Sequence, residues 1–245
     1  MSATDLQGSD WRPVHRAKTY ELVLDRIEEQ ISSGRLVVGD RLPSERQLSE
    51  VLGVSRVAVR EALRVLEAMG VIVQGTGSGP DAGTVLTAQP AEALARLVRL
   101  HVTLASVGSR DVVRARIALE RESARLAATN ATAADHDQLL RHLAAMDDPA
   151  VTPEVFNDED TAFHVAIARA SGNPLVAEMT TALRLAMRAT LLAHLREADD
   201  FAGVTTRLCG EHHGIHQALR EGKGSEAADL VEVHIAGFYG VSLGT

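Results

Sequence analysis

The fold of the N-terminal part of the chain can be predicted from residues 34–72, GRLVVGDRLPSERQLSEVLGVSRVAVREALRVLEAMGVI. Ser44 begins a capping-box pattern that Gln47 completes three residues later, which is typical of the first turn of a helix. Gly53 permits a tight turn, and Ser55 can cap a second helix. Two short helices joined by a brief glycine-containing turn predict a helix-turn-helix.

The segments on either side complete a domain over residues 11–84. Residues 17–33 place apolar side chains at helical spacing and therefore predict an amphipathic helix. Residues 71–87, VIVQGTGSGPDAGTVLT, predict two short β segments around a glycine-rich tip, which suits a wing. We therefore expect a winged helix-turn-helix DNA-binding domain, followed by a linker at residues 84–90.

The second helix of the motif carries three arginines at four-residue spacing, Arg56, Arg60 and Arg64. Because its apolar positions lie on the opposite face, these arginines can meet phosphates and base edges in a major groove. Arg41 and Arg46 precede this helix and are placed to add phosphate contacts. The alternative is a solvated arginine face balanced by nearby glutamates, and the charge pattern alone does not choose between them.

Charge and cysteine content indicate the setting of the protein. The formal net charge is −8, yet residues 11–75 carry 10 basic and 9 acidic side chains, while residues 76–245 carry 15 and 22. The acidity therefore belongs to the C-terminal part and does not oppose DNA binding by the first domain. A single cysteine, Cys209, and the lack of a signal-peptide pattern or a long apolar run predict a reducing, cytoplasmic location without a membrane.

The part from residue 91 to residue 245 shows only helical periodicity. Breaks rich in Gly, Pro, Asn and Asp separate seven predicted helices, at residues 91–107, 110–129, 132–147, 153–171, 174–198, 203–221 and 225–242. We predict an all-α bundle of six or seven helices over residues 91–245, and a mainly α fold for the whole chain.

One carboxylate and three imidazoles lie on or beside the apolar stripes of three of these helices. In DTAFHVAIARASGN, residues 160–173, Asp160 and His164 lie one turn apart beside the core stripe. His212 and His234 share the phase of the apolar stripes on two later helices. One Asp and three His make a ligand set for a divalent transition metal. The alternative for each histidine is a hydrogen-bonded core imidazole or a surface residue.

The first domain resembles the winged helix-turn-helix of GntR-type bacterial transcription regulators. The phrases GDRLPSER, GVSR and VREAL..LE..G occur in the family's order and spacing. The resemblance implies DNA contacts from four residues, Arg46, Ser55, Arg56 and Arg60. Val57 and Ala58 stand where relatives often carry hydroxyl groups, so base contacts there would be apolar, as with a thymine methyl group.

The wing departs from the pattern of this family. It has no Arg or Lys where relatives often place one, so a basic contact to the minor groove is not expected. Residues 75–77 offer either backbone amides to DNA or a tight hairpin without contact.

The second domain resembles the FCD effector domain of the FadR subfamily of these regulators. The segments DTAFHVAIARASGNPL, EHHGIHQAL and AADLVEVHI match its signature segments in order. Aligning the second segment selects His212 rather than His213, in agreement with the helical phase. The resemblance implies a divalent metal, zinc with nickel or manganese as alternatives, that is held by Asp160, His164, His212 and His234.

Arg116 and Glu120 match the Arg-x-x-x-Glu phrase of the same family. The resemblance implies that Arg116 faces the effector cavity, and the alternative is an i,i+4 ion pair with Glu120 on the same helix. Asn173 is expected to cap the helix that begins at Pro174.

We interpret the chain as a transcription regulator, with repression as the expected sign, that binds an inverted-repeat double-stranded operator as a homodimer. A metal in the C-terminal bundle would leave positions open for a small organic acid, whose binding shifts the winged domains between DNA-competent and incompetent arrangements. Two alternatives stay open. One is a metalloenzyme whose site activates water, and the other is a metal that only ties helices together.

Overall fold

The computed structural model describes residues 18–75, 83–104 and 106–240. The chain divides into two compact units, Met1–Ala88 and Gln89–Thr245. The described residues form ten helices and one two-stranded sheet, which confirms the predicted mainly α fold. None of the described helices is both long and apolar enough to cross a membrane.

The first unit contains three helices and the two strands. Ser44 caps the second helix through a capping box with Gln47, and Gly53 ends it at a φ of 66°, a conformation that favours glycine. Ser55 caps the third helix by accepting a hydrogen bond from the backbone N–H of Ala58. The elements in chain order are α1 (Thr19–Ser32), α2 (Glu45–Leu52), α3 (Arg56–Ala68), β1 (Ile72–Gly75) and β2 (Gly83–Leu86).

The two strands pair antiparallel, in register from Ile72 opposite Leu86 to Gly75 opposite Gly83. Residues 76–82, the tip between them, lie outside the described residues, and the contact expected at residues 75–77 falls mostly there. The unit's core joins α1, α2, α3 and the wing, through Val23, Ile27, Leu42, Leu48, Val59, Ala62, Leu63, Leu66, Ile72 and Leu86. Because α3 buries one face in this core, its arginine-bearing face is directed outward.

The second unit is the all-α bundle. Side chains of Thr132, Thr152, Asn173 and Asp200 cap four of its helices by accepting backbone hydrogen bonds, and the expected role of Asn173 is thereby confirmed. Its seven helices are α4 (Pro90–Thr103), α5 (Ser109–Asn130), α6 (Ala133–Met146), α7 (Pro153–Ala170), α8 (Pro174–Glu197), α9 (Phe201–Arg220) and α10 (Gly224–Tyr239).

Helix α7 is the central element of the bundle. It packs against α5, α6 and α8, while α10 packs against α5 and α9. Phe156 and Phe163 on α7 are completely buried, and the core continues through α9 with Leu208, Ile215 and Leu219. The polar side chains Asp160 and His164 of α7 are buried within this packing.

Helix α4 is apolar on two opposite faces. The face with Ala91 and Ala95 is buried and packs against α8. The other face presents Leu97, Leu100 and Leu104, whose exposed fractions are 53%, 55% and 73%. The spacing of three and four residues between these leucines is that of a helix-pairing seam.

Candidate metal centre and DNA-recognition face

Four side chains from three helices converge inside the second unit. Asp160 and His164 come from α7, His212 from α9 and His234 from α10, and all four are buried. One ligand atom from each lies within 4.8 Å of the others. Within the part of the chain that the structure describes, no other group of three or more His, Cys, Asp or Glu residues meets this criterion.

The Nε2 atoms of the three histidines gather around one carboxylate oxygen. Oδ1 of Asp160 lies 3.1 Å from Nε2 of His212, 3.9 Å from that of His164 and 4.0 Å from that of His234. The Nε2 atoms of His164 and His212 are 3.3 Å apart. Ligand atoms that share one ion at about 2.1 Å stand roughly 3 to 4 Å apart, so these separations suit a shared ion.

Carboxylates orient two of the imidazoles through Nδ1, the ring nitrogen that is not part of the Nε2 group. Nδ1 of His164 lies 2.9 Å from Oε2 of Glu120, and Nδ1 of His234 lies 2.7 Å from Oε2 of Glu211. A metal-ligating histidine commonly donates its second ring N–H to a carboxylate in this way, which directs the other nitrogen to the ion. Nδ1 of His212 is buried and has no hydrogen-bond partner among the described residues.

A buried arginine joins the acids of the site. The Arg184 guanidinium donates to both oxygens of Glu120 at 2.6 to 3.1 Å and to Oδ2 of Asp160 at 2.7 Å. Arg116 donates to Oε1 of Glu120 at 3.0 Å and to the hydroxyl of Tyr239 at 2.9 Å. Two arginines and two carboxylates thus balance one another in an enclosed network, as buried charges require.

These surroundings set the protonation state that metal binding needs. Burial alone would raise the pKa of Asp160, but the Arg184 charge and the His212 hydrogen bond hold it well below its usual range. Burial, followed by the Arg184 charge, lowers the pKa of His164 to about 3. Burial, followed by His234, lowers the pKa of His212 to about 4. An ionised carboxylate and neutral imidazoles are the forms that bind metal ions, so the donor set fits a divalent transition metal.

A narrow cleft leads from the surface to this cluster. It has a volume of about 250 Å³ including its mouth, and the space beside Asp160 suits about one water molecule. Arg116 lies in its wall, where it forms the ion pair with Glu120 and also contacts the Tyr239 ring. Arg116 therefore does both: it forms the ion pair with Glu120, and it lines the cleft. The other lining residues are Asp160, Arg184, Leu191, Leu208, His234, Ile235, Phe238 and Tyr239.

Three other side chains of α9 that could bind a metal or react lie away from the cluster. His213 is exposed and pairs with Asp147 at 2.8 Å. His216 is buried beside the ring of His136. Burial, followed by Asp147, raises the pKa of Cys209 to about 12, which suits a core thiol rather than a nucleophile.

The outward face of α3, where the DNA contacts are predicted, carries exposed charges and one exposed apolar side chain. Arg56 and Arg64 form no ion pair or side-chain hydrogen bond with a described residue. Arg60 is held by Glu45 on α2, through Nε at 3.0 Å and Nη2 at 2.8 Å. Val57 has an exposed fraction of 72%. This face matches the mixture of guanidinium and apolar groups that reads base edges.

The other residues predicted to contact DNA already make contacts within the first unit. Arg46 lies on α2 and pairs with Glu50 at 3.0 Å, with both side chains exposed. The hydroxyl of Ser55 accepts the capping hydrogen bond of α3. Arg41 is exposed and bridges to Val85 through its backbone. Ala58 is only 6% exposed, so the apolar base contact expected from it is wrong, because the side chain packs into the core of the unit.

Sequence reasoning missed three side chains of the second unit's site. Arg184, Glu211 and Tyr239 contact Asp160, His234 and Arg116 respectively. A signal for Arg184 exists, because it shares the helical phase of the buried residues Thr180, Met187 and Leu191. An arginine on an apolar stripe indicates a buried ion pair.

A helix-turn-helix with a two-stranded wing, followed by a separate helical bundle that encloses a polar cluster, defines the class of DNA-binding regulators with a sensory domain. Known proteins agree with this class. The model for bacterial regulatory proteins of the gntR family matches residues 19–80, and the FCD domain model matches residues 111–237. The chain belongs to the GntR family and carries an FCD domain.

Relatives support the same assignment. The HTH-type transcriptional regulator LutR of Bacillus subtilis is 31% identical, over 84% of this chain and 92% of its own length. The Glc operon transcriptional activator of Escherichia coli is 37% identical, over 64% of this chain and 62% of its own. A solved GntR structure from Streptococcus agalactiae shares the fold, with a TM-score of 0.65 at 24% identity, over 89% of this chain and 98% of that one. These families and relatives are transcriptional regulators, not enzymes.

Proposed function

We propose that this regulator represses transcription as a homodimer on an inverted-repeat operator and that a small organic acid, bound beside a divalent metal in the FCD domain, controls its DNA affinity. The observation that carries the sensing part is the convergence of Asp160, His164, His212 and His234 around one point. The observation that supports DNA reading is the outward arginine face of α3. Zinc is the favoured ion, with nickel or manganese as alternatives.

Each residue of the site has a separate task in this proposal. The four ligands hold the ion, which supplies Lewis acidity for a carboxylate oxygen when it is bound. Glu120 and Glu211 keep the ring N–H protons of His164 and His234 directed away from the ion. Arg116 adds positive charge on the cleft wall, where it can pair with the effector's carboxylate.

The effector must rearrange the mouth of the cleft, because the space beside Asp160 suits only about one water molecule. The hydroxyl of Tyr239 accepts a hydrogen bond from Arg116, and Tyr239 is the last residue of α10, next to Gly240. A carboxylate that replaces this hydroxyl on Arg116 displaces the last turn of α10. Such a displacement is a two-state change that effector binding can bias.

The exposed face of α4, which carries three leucines, supports the homodimer. Leu97, Leu100 and Leu104 stay exposed in the single chain although their spacing suits helix pairing. An exposed apolar stripe of this kind marks a protein contact surface. A two-fold dimer presents two copies of α3, one for each half of an inverted repeat.

The Escherichia coli relative is named a transcriptional activator, so family membership alone does not fix the sign of regulation. We propose repression because a repressor can respond to an effector that lowers its affinity for DNA. This response requires no contact between the regulator and RNA polymerase. A transcription assay with purified polymerase, on a template that carries an operator selected by this protein from a random duplex library, tests this sign. Fewer transcripts on adding the protein are expected, and more transcripts would reverse the assignment.

The affinity for operator DNA tests the proposal as a whole. The metal-loaded protein first selects an operator from a random duplex library, and fluorescence anisotropy then measures its Kd with and without acetate, lactate, malate, succinate and citrate. At least one acid should change the Kd about ten-fold or more, a coupling within the usual range for allosteric regulators. Equal affinity with every acid would remove the sensing role. Chelation that lowers the stability of the bundle while the folded, metal-free protein still binds the acid with unchanged affinity would assign the metal a purely structural role.

A further inference from the structure

Asn157 is a buried amide without a partner. Its side chain lies on α7, is 0% exposed, and neither its Oδ1 nor its Nδ2 has a hydrogen-bond partner among the described residues. Buried amides are normally paired, and one that leaves both its donor and its acceptor unpaired is rare in folded proteins. The other unpartnered buried atoms of this kind all belong to histidine rings.

Other polar side chains of the bundle do find partners. Nδ2 of Asn130 donates to the Ser171 carbonyl at 2.6 Å, and Oδ1 of Asn173 accepts from the N–H of Val176. The buried hydroxyl of Thr205 donates to the Phe201 carbonyl at 3.0 Å. The amides of these two exposed residues and the buried hydroxyl are thus paired, whereas Asn157 is the one buried amide among the described residues that has no partner.

The helical phase directs Asn157 toward the metal cluster. It precedes Asp160 by three residues and His164 by seven, so the three side chains share one face of α7. Ion pairs from Asp160 to Arg184 and from Glu154 to Arg196 show that α7 and α8 run antiparallel. Asn157 thus lies between these two pairs along α7, one turn before Asp160. Asp160 and Leu191 line the cleft, and Asn157 is buried behind that lining.

We propose that Asn157 is an effector-binding residue that recognises a hydroxyl group on the carboxylate effector. This assignment rests on the proposed carboxylate site. An amide offers one acceptor oxygen and one donor nitrogen, and a hydroxyl group both donates and accepts, so it can satisfy both atoms. A carboxylate oxygen only accepts and would leave Oδ1 of Asn157 unpaired. The effector is therefore a hydroxycarboxylic acid, with its carboxylate toward the metal and Arg116.

Matched acids that differ by one hydroxyl group test this assignment. Isothermal titration of the zinc-loaded full chain compares lactate with propionate and malate with succinate. The wild type should bind the hydroxy acid of at least one pair about ten-fold more tightly or better, because an unpaired buried amide penalises the acid without the hydroxyl. Asn157→Leu, which has a similar volume and no polar atoms, should reduce that ratio to about three-fold or less.

A hydroxyl group beside a carboxylate can also contact the metal. A preference of the wild type for the hydroxy acid therefore does not identify its source, and the Asn157→Leu variant does. An unchanged ratio in Asn157→Leu would assign the preference to the metal and overturn the role of Asn157. Thr205→Val, which removes a buried hydroxyl on α9, should keep the wild-type ratio. Asn157→Ala serves as a second variant if the leucine does not fit, and zinc content measured on each variant separates loss of the ion from loss of recognition.

The two levels of the proposal fail in different ways. If neither acid of either pair binds the zinc-loaded wild type, the carboxylate site itself is wrong, and the assignment of Asn157 falls with it. If both acids bind the wild type with equal affinity, the carboxylate site stands and only the hydroxyl recognition is overturned.

Discussion

Arg184 donates a hydrogen bond to Oδ2 of Asp160 at 2.7 Å, and Oδ1 of the same carboxylate is therefore the oxygen that faces the three histidines. The same guanidinium binds both oxygens of Glu120, which in turn lies against Nδ1 of His164. One buried cation thus fixes the orientation of a ligand and of the acid behind a second ligand.

Replacing Arg184 should strongly destabilise the bundle. Arg184→Met leaves Asp160 and Glu120 buried with only one guanidinium nearby, and removal of one partner from a buried ion pair costs about 3 to 5 kcal/mol. Urea titration of the metal-free protein, followed by far-UV circular dichroism, measures the free energy of unfolding. Arg188→Met on the same helix removes an exposed pair with Asp158 and should cost about 0 to 1 kcal/mol. Equal losses in the two variants would contradict the structural role of Arg184.

Glu45 should sharpen the sequence preference of Arg60. Because Glu45 holds Nε and Nη2 of Arg60, the Nη1 side of the guanidinium is presented outward in one orientation. Glu45→Gln should raise affinity for random duplex and steepen its dependence on log salt by about 1, while the preference for the selected operator falls. Anisotropy titrations at several salt concentrations measure both. Glu29→Gln, which frees Arg26 on α1, should change neither, and a similar effect there would indicate a general charge effect.

Val57 should read a thymine methyl group in the operator. Its side chain is exposed on the outward face of α3 beside Arg60 and Arg64, and apolar side chains contact the thymine methyl in the major groove. Replacing each operator thymine by deoxyuridine should reduce wild-type affinity about three-fold or more at one position per half-site. Val57→Ala should lose this sensitivity at that position. Sensitivity that persists unchanged in Val57→Ala would show that another group contacts the methyl.

Helical phase alone predicted which side chains point inward on single helices. Asp160 and His164 share the buried face of α7, and His212 and His234 have the phase of their own core stripes, so no knowledge of helix packing was needed. The caps at Ser44, Ser55 and Asn173 follow equally from local sequence, because a capping side chain and the backbone N–H that donates to it are three residues apart.

Contacts between helices could not be predicted in the same way. Arg184 and Glu120 are separated by 64 residues, and their meeting depends on the register with which α8 packs against α5. Glu211 and His234, or Glu45 and Arg60, meet for the same reason. Ala58 is a different case. The family pattern predicted an apolar base contact at this position, but the packing of α3 buries the side chain.

The leucine seam of α4 should hold the dimer together. Leu100→Asp places a charge in the middle of an apolar contact and should raise the dimer dissociation constant about ten-fold or more. Light scattering coupled to size-exclusion chromatography over a range of protein concentrations measures this change. Leu175→Asp, an exposed position at the start of α8 outside the seam, should leave the dimer intact. A Leu100→Asp protein that dimerises like the wild type would place the interface elsewhere.

Native mass spectrometry of the zinc-supplied chain tests the central claim most directly, since it weighs metal and small molecule on the folded protein together. We expect one divalent ion per chain in the wild type and in His216→Ala, whose ring is buried on α9 outside the cluster. His212→Ala should lose that ion, together with any bound acid. A wild-type chain at its metal-free mass, or a His212→Ala chain that keeps the ion as well as the wild type does, would contradict the proposed centre.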